Sequence, residues 1–144
     1  RSGANTLIAN GEEEHVLTRA ISDENIGTLL VASVTPMAAR KGWIAGQLKP
    51  QGDLYLDAGA TLMIRDKGVS LLPVGVTRVV GSFSRGDVVR CLDSKGHIFA
   101  QGLVNYDSHE IEKLMGAATE EIFSLLGYAA EPELIHRDNL ALFD

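Results

Sequence analysis

At 144 residues the chain is long enough for one ordinary domain or two small ones, and it can bury a real core. Apolar residues at 45% and charged residues at 22% exclude a disordered tail, and 15 glycines without a Gly-x-y period exclude a collagen-like chain. The net charge of −6 argues against general nucleic-acid binding, and the lone cysteine, Cys91, excludes an internal disulfide framework or a multi-cysteine zinc site.

The chain opens on Arg1 with no basic start leading into an apolar stretch, so no secretory signal is expected, and it reads as a piece of something longer. Residues 5–8 predict a short strand closed by the turn pair Asn10-Gly11. Residues 12–21 predict a helix, with Glu12, Glu13 and Glu14 in the first turn, where negative charge suits the helix dipole. Val16, Leu17, Ala20 and Ile21 fall at helical spacing toward a core. Residues 27–34 are apolar throughout, as in a strand covered on both faces. Thr35 and Pro36 then supply an N-cap and a first helical residue for a helix over 37–45 that presents Trp43 and Ile44. This order predicts the parallel sheet of an α/β domain. Fewer than fifty residues cannot cover both faces of such a sheet, so the stretch is expected to lean on further chain.

Lys49-Pro50-Gln51-Gly52 is the candidate linker. Beyond it Leu54 and Leu56 alternate with polar neighbours, a strand signal. Asp57 predicts the cap of a helix over 58–67, and Gly68 stands where a left-handed terminator belongs. Strands are predicted over 70–72, 76–82, 87–92 and 97–106, with Asp93-Ser94-Lys95-Gly96 as a hairpin turn. Asp107 with Glu110 has the capping-box spacing for a helix ending at Gly116. A short helix over 119–126 ends at Gly127, and residues 134–136 predict a last strand. The expectation is a small barrel with helices packed on it. No apolar run approaches the roughly 20 residues of a membrane helix, and a reducing cytoplasm is the expected setting.

The residues then become recognisable. Gly68-Val69-Ser70-Leu71-Leu72-Pro73-Val74-Gly75-Val76, followed by Val80-Gly81-Ser82-Phe83-Ser84-Arg85-Gly86-Asp87-Val88-Val89, resembles the core signature of a PUA domain. Asp57-Ala58-Gly59-Ala60 and Ala100-Gln101-Gly102-Leu103 fit the same pattern. Arg40-Lys41-Gly42-Trp43-Ile44-Ala45-Gly46 looks like the end of the kinase domain in the bacterial glutamate 5-kinase family. Leu126-Gly127-Tyr128 and Ile135-His136-Arg137-Asp138-Asn139-Leu140 resemble that family's C-terminal stretch.

The resemblance implies residues 1–48 as the α/β end of an amino-acid kinase domain. It implies residues 49–144 as a mostly-β PUA pseudo-barrel with short helices and a C-terminal tail. The parent enzyme it implies uses ATP and Mg2+ to phosphorylate the side-chain carboxylate of glutamate, on the way to proline. Its partners would be the rest of the kinase domain, glutamate, ATP and a second copy of itself, with no membrane. The glycine-rich loops and lysines of that site are not in this stretch, so the fragment itself is expected to catalyse nothing and to bind no cofactor or metal. The PUA domain would regulate or assemble the enzyme.

Other motifs read as structural. His136-Arg137-Asp138 mimics the protein-kinase catalytic loop, but Phe143 stands where that loop needs asparagine. Glu12-Glu13-Glu14-His15 lacks the second histidine of a zinc helix, and Cys91 in an alternating strand reads as a buried small hydrophobe. His97 and His109 have no ligand partner at metal spacing.

The alternative function is a free-standing RNA-binding PUA module, since PUA domains of RNA-modifying enzymes hold RNA on the first helix and the neighbouring glycine-rich strand. The matching ligand surface here comprises Asp57, Gly59, Ala60, Arg65, Lys67, Arg78 and Arg85, with the small residues admitting a backbone and the cations meeting phosphates. Residues 49–144 carry nine Lys/Arg against fourteen Asp/Glu, so RNA ranks second to an intramolecular or intersubunit role.

Overall fold

The computed structural model describes residues 3–22 and 24–143, which divide into two compact units, Arg1–Arg40 and Lys41–Asp144.

In the first unit β1 (Thr6–Ile8) pairs with β2 (Thr28–Leu30) antiparallel, with Leu7 opposite Leu29. The parallel, doubly covered arrangement predicted for residues 27–34 is therefore corrected: the strands are antiparallel and every residue of both is exposed. Two three-residue strands have too little ladder to bury a face without a third. The helix predicted over 12–21 is also shorter. His15 takes a left-handed conformation (φ 55°), so α1 is confined to Val16–Ile21 and its first turn carries no acid. Glu13 instead pairs with Arg19, which also holds Glu24 (2.8 and 2.7 Å).

Helix α2 runs Pro36–Gln47, opening as its sequence predicts with Thr35 Oγ1 accepting from the Ala38 amide (3.2 Å). Ile44, on its last turns, is fully buried, whereas Trp43 is about half exposed.

The second unit is built on a five-stranded mixed sheet. Its strands are β3 (Gly52–Leu56), β4 (Val76–Gly81), β5 (Val88–Leu92), β6 (Ile98–Leu103) and β7 (Leu140–Leu142), in spatial order β4-β3-β5-β6-β7. Only the β3–β5 pair is parallel, with Leu54 opposite Cys91. Arg90 crosses that pair to fork onto Asp53 (2.6 and 2.8 Å), the bidentate geometry that suits guanidinium and carboxylate.

Helix α3 (Ala58–Lys67) follows β3, and α4 (Ser108–Leu114) and α5 (Ile122–Leu126) follow β6. α4 opens with the predicted capping box: Asp107 accepts from the Glu110 amide and Glu110 from the Asp107 amide, each at 2.9 Å. Leu54, Leu56, Ile64, Val89, Tyr106 and Ile111 form the buried centre.

Two strand predictions are corrected. Residues 70–72 and 134–136 do not form strands but meet in a single antiparallel bridge, Leu71 with Ile135. The last strand is β7, six residues later, because β6 offers its free edge to Leu140–Leu142. No helix among the described residues is long and apolar enough to cross a membrane.

Candidate functional site

The candidate site is a cleft of about 270 Å³ between α3 and residues 69–75, lined among others by Asp57, Ala60, Met63, Leu72 and Val74. Its helical wall is set by local chemistry. Asp57 takes an extended conformation and its Oδ1 accepts from the Ala60 amide (2.7 Å), satisfying one of the free donors of the first turn. Gly68 ends the helix in the left-handed region (φ 60°), a conformation a side chain resists.

The opposite wall is the 3₁₀ turn Pro73–Gly75. The Asp57 amide donates to the Gly75 carbonyl (3.0 Å), so the helix cap is stitched directly across the cleft floor. This approach depends on Gly75 having no side chain, because a Cβ there would collide with the Ala60 Cβ. Behind the turn, the Leu71 amide donates to Ile135 and the Leu71 carbonyl accepts from Leu134 (2.9 and 2.8 Å). Ser70 Oγ accepts from the Arg137 amide (3.0 Å), which gives the His136-Arg137-Asp138 tail a structural role in bracing the wall.

The cleft is apolar and open. Met63, Leu72 and Val74 are 46%, 41% and 56% exposed around it, and Asp57 and Ser70 are the polar side chains among the described residues on its lining. A surface of this kind favours apolar contact and offers a phosphate no cation.

Of the residues predicted to form a ligand surface, Asp57, Gly59 and Ala60 line the cleft. The cations are placed elsewhere and do not converge on it. The Arg65 guanidinium lies 4.8 Å from the centre of the Phe99 ring, and that of Arg78 lies 3.6 Å from the centre of the Tyr55 ring. Arg85 reaches Glu131 at 3.7 Å, and Lys67 sits in the last turn of α3, off the lining. Sequence reasoning missed Met63, Leu72 and Val74 because apolar residues at helix and strand spacing read as core.

Cys91 and Asp93 serve the fold. Cys91 is fully buried and burial pushes its thiol up to about 12. Asp93 accepts from the backbone amides of His97 and Lys95 (2.9 Å each), which hold its carboxyl below the usual range, the His97 contact contributing most. Among the described residues no group of three or more His, Cys, Asp or Glu is placed to hold a metal ion.

Residues 52–126 match the family model for the PUA domain, and the chain belongs to the PUA domain family. Over nearly its whole length it is similar to glutamate 5-kinases. It is 58% identical over 142 residues to that of Thioalkalivibrio sulfidiphilus and 57% identical over 140 residues to that of Chromobacterium violaceum, covering 99% and 97% of this chain. It spans 38% of the length of each of these relatives. The resemblance read from the sequence holds, and the match is to their PUA-containing C-terminal part. A solved PUA domain from Aeropyrum pernix K1, in complex with tartrate, is 28% identical and covers 60% of this chain and 41% of its own, with a TM-score of 0.45.

Proposed function

We propose that this chain is the C-terminal part of a glutamate 5-kinase, the enzyme that transfers the γ-phosphate of ATP to the side-chain carboxylate of glutamate. The observation that carries the reading is identity of 57–58% over nearly the whole chain to proteins of that name, all of it within 38% of their length. Residues 1–48 are then the end of the kinase domain and residues 49–144 the PUA domain, whose role is regulation or assembly. The parent acts in the cytoplasm as a homo-oligomer.

ATP and Mg2+ belong to the rest of that enzyme. The cleft does not fit a nucleotide, since its described lining carries one carboxylate, already capping α3, and no cation. Phosphoryl transfer needs positioned cations and backbone donors around the phosphates, and no step is assigned to residues of this chain.

The test is to express the complete gene product and measure ATP- and glutamate-dependent formation of glutamyl hydroxamate. Activity in the full protein, and none in residues 1–144 alone, is the expected result. A full-length protein with no glutamate-dependent activity overturns the reading.

A further inference from the structure

We propose that Gln101 is a positioning residue that clamps the end of α2 to the PUA sheet, so that rearrangements of the sheet are felt by the residues that precede it. The inference rests on the reading that residues up to 48 close the kinase domain.

Gln101 lies in β6, flanked in the sheet by Arg90 of β5 and Ala141 of β7, and is 4% exposed. A glutamine inside a strand otherwise built of Ile98, Phe99, Ala100, Gly102 and Leu103 is an expensive choice unless its amide has partners. Its Nε2 donates to two backbone carbonyls, those of Ile44 and Leu48, the second at 3.3 Å. The Ile44 carbonyl is one of the last four of α2, which a helix leaves without an internal acceptor role. Helix ends are ordinarily closed by residues next to them in the chain. Here the donor comes from 53 and 57 positions later, out of the middle of a sheet.

Two consequences follow from that geometry. The bond from Gln101 to the Ile44 carbonyl is buried, so water cannot readily replace that partner, while the bond to the half-buried Leu48 reinforces it. A shift of β6 must therefore carry residues 44–48 with it or break both bonds together. Residues 41–48 belong to the same compact unit as the sheet, and the clamp fixes that end of α2, through which an effect of the PUA domain on the residues before it has to pass.

The test uses the full-length protein carrying Gln101→Met, which keeps the volume and removes both donors. Gln101→Asn is the milder companion: it keeps an amide but shortens its reach. Hydrogen exchange read by mass spectrometry is expected to speed up about tenfold in peptides covering residues 43–48, with peptides of β3 and β5 unchanged. The kcat/KM for glutamate is expected to move by about threefold or more, with Asn between wild type and Met. Unchanged exchange at 43–48 in both variants overturns the clamp. Faster exchange there with unaltered kinetics overturns the coupling and leaves Gln101 a local cap. A wild-type protein without glutamate kinase activity sinks the functional reading instead, while the exchange measurement still decides whether the clamp exists.

Discussion

Cys91 shows how one buried group sets a pH limit on the unit. Its thiol ionises at an ordinary 9.0 when exposed and at about 12 in the folded chain, because burial disfavours the thiolate. Above pH 9 the unfolded chain loses a proton that the folded chain keeps, so this contribution to stability is complete below 9 and fades as pH rises toward 12. Melting temperature is expected to fall between pH 9 and 10.5 more steeply in the wild type than in Cys91→Ala, measured side by side by circular dichroism. The same burial predicts that the native thiol resists a disulfide reagent at pH 8 and reacts fully in denaturant. Rapid labelling of the native chain would show that β5 opens far more readily than its packing implies.

At the scale of elements, α3 and its facing turn carry the cleft, and two substitutions test how. Asp57→Ala removes the acceptor for the Ala60 amide and is expected to cost about 1 kcal/mol. Gly75→Ala drives a methyl into Ala60 and is expected to cost about 1–3 kcal/mol through a forced shift of the turn. In a unit of this size each kilocalorie lowers the melting temperature by about 4–8 °C. If Gly75→Ala melts like the wild type, the turn is free to move away from α3 and the cleft is not rigid. These elements were also the most legible ones in the sequence, and for the same reason. The caps at Asp57, Gly68 and Asp107–Glu110 are contacts within four residues, so their partners are visible side by side in the chain. β7 and the Leu71–Ile135 bridge were not legible, because three-residue segments carry no periodicity and their existence depends on a free edge elsewhere. The exposed antiparallel pair near the start was misread for a related reason: a wholly apolar run announces burial without saying what buries it. Asp57, Gly59 and Ala60 stand out in the sequence as a cap and small residues and do line the cleft, while Met63, Leu72 and Val74 are hidden among residues that look like core.

For the whole molecule, the decisive quantity is how charge is distributed over the PUA part. Residues 49–144 carry a net charge of −5, and Arg65, Arg78 and Arg85 are each engaged with a ring or a carboxylate rather than gathered at the cleft. Sequence-independent affinity for nucleic acid comes from cations that displace counterions from phosphates. A cleft walled by Leu72, Val74 and Met63 beside a carboxylate supplies none, and stacking alone would have to carry any RNA bound there. We therefore expect no appreciable RNA binding at physiological salt. Binding at low salt through the scattered arginines would fade as salt rises, with each single-strand phosphate contact adding about −0.7 to the slope of log affinity against log salt. The measurement is a salt titration of binding to structured RNA, with Arg65→Glu and Val74→Glu as controls. Micromolar or tighter binding near physiological salt that Arg65→Glu abolishes would mean that the cations reorient to form a phosphate track. Binding abolished by Val74→Glu alone would instead place bases against the apolar walls of the cleft. Either result would revive the RNA-binding reading of this module.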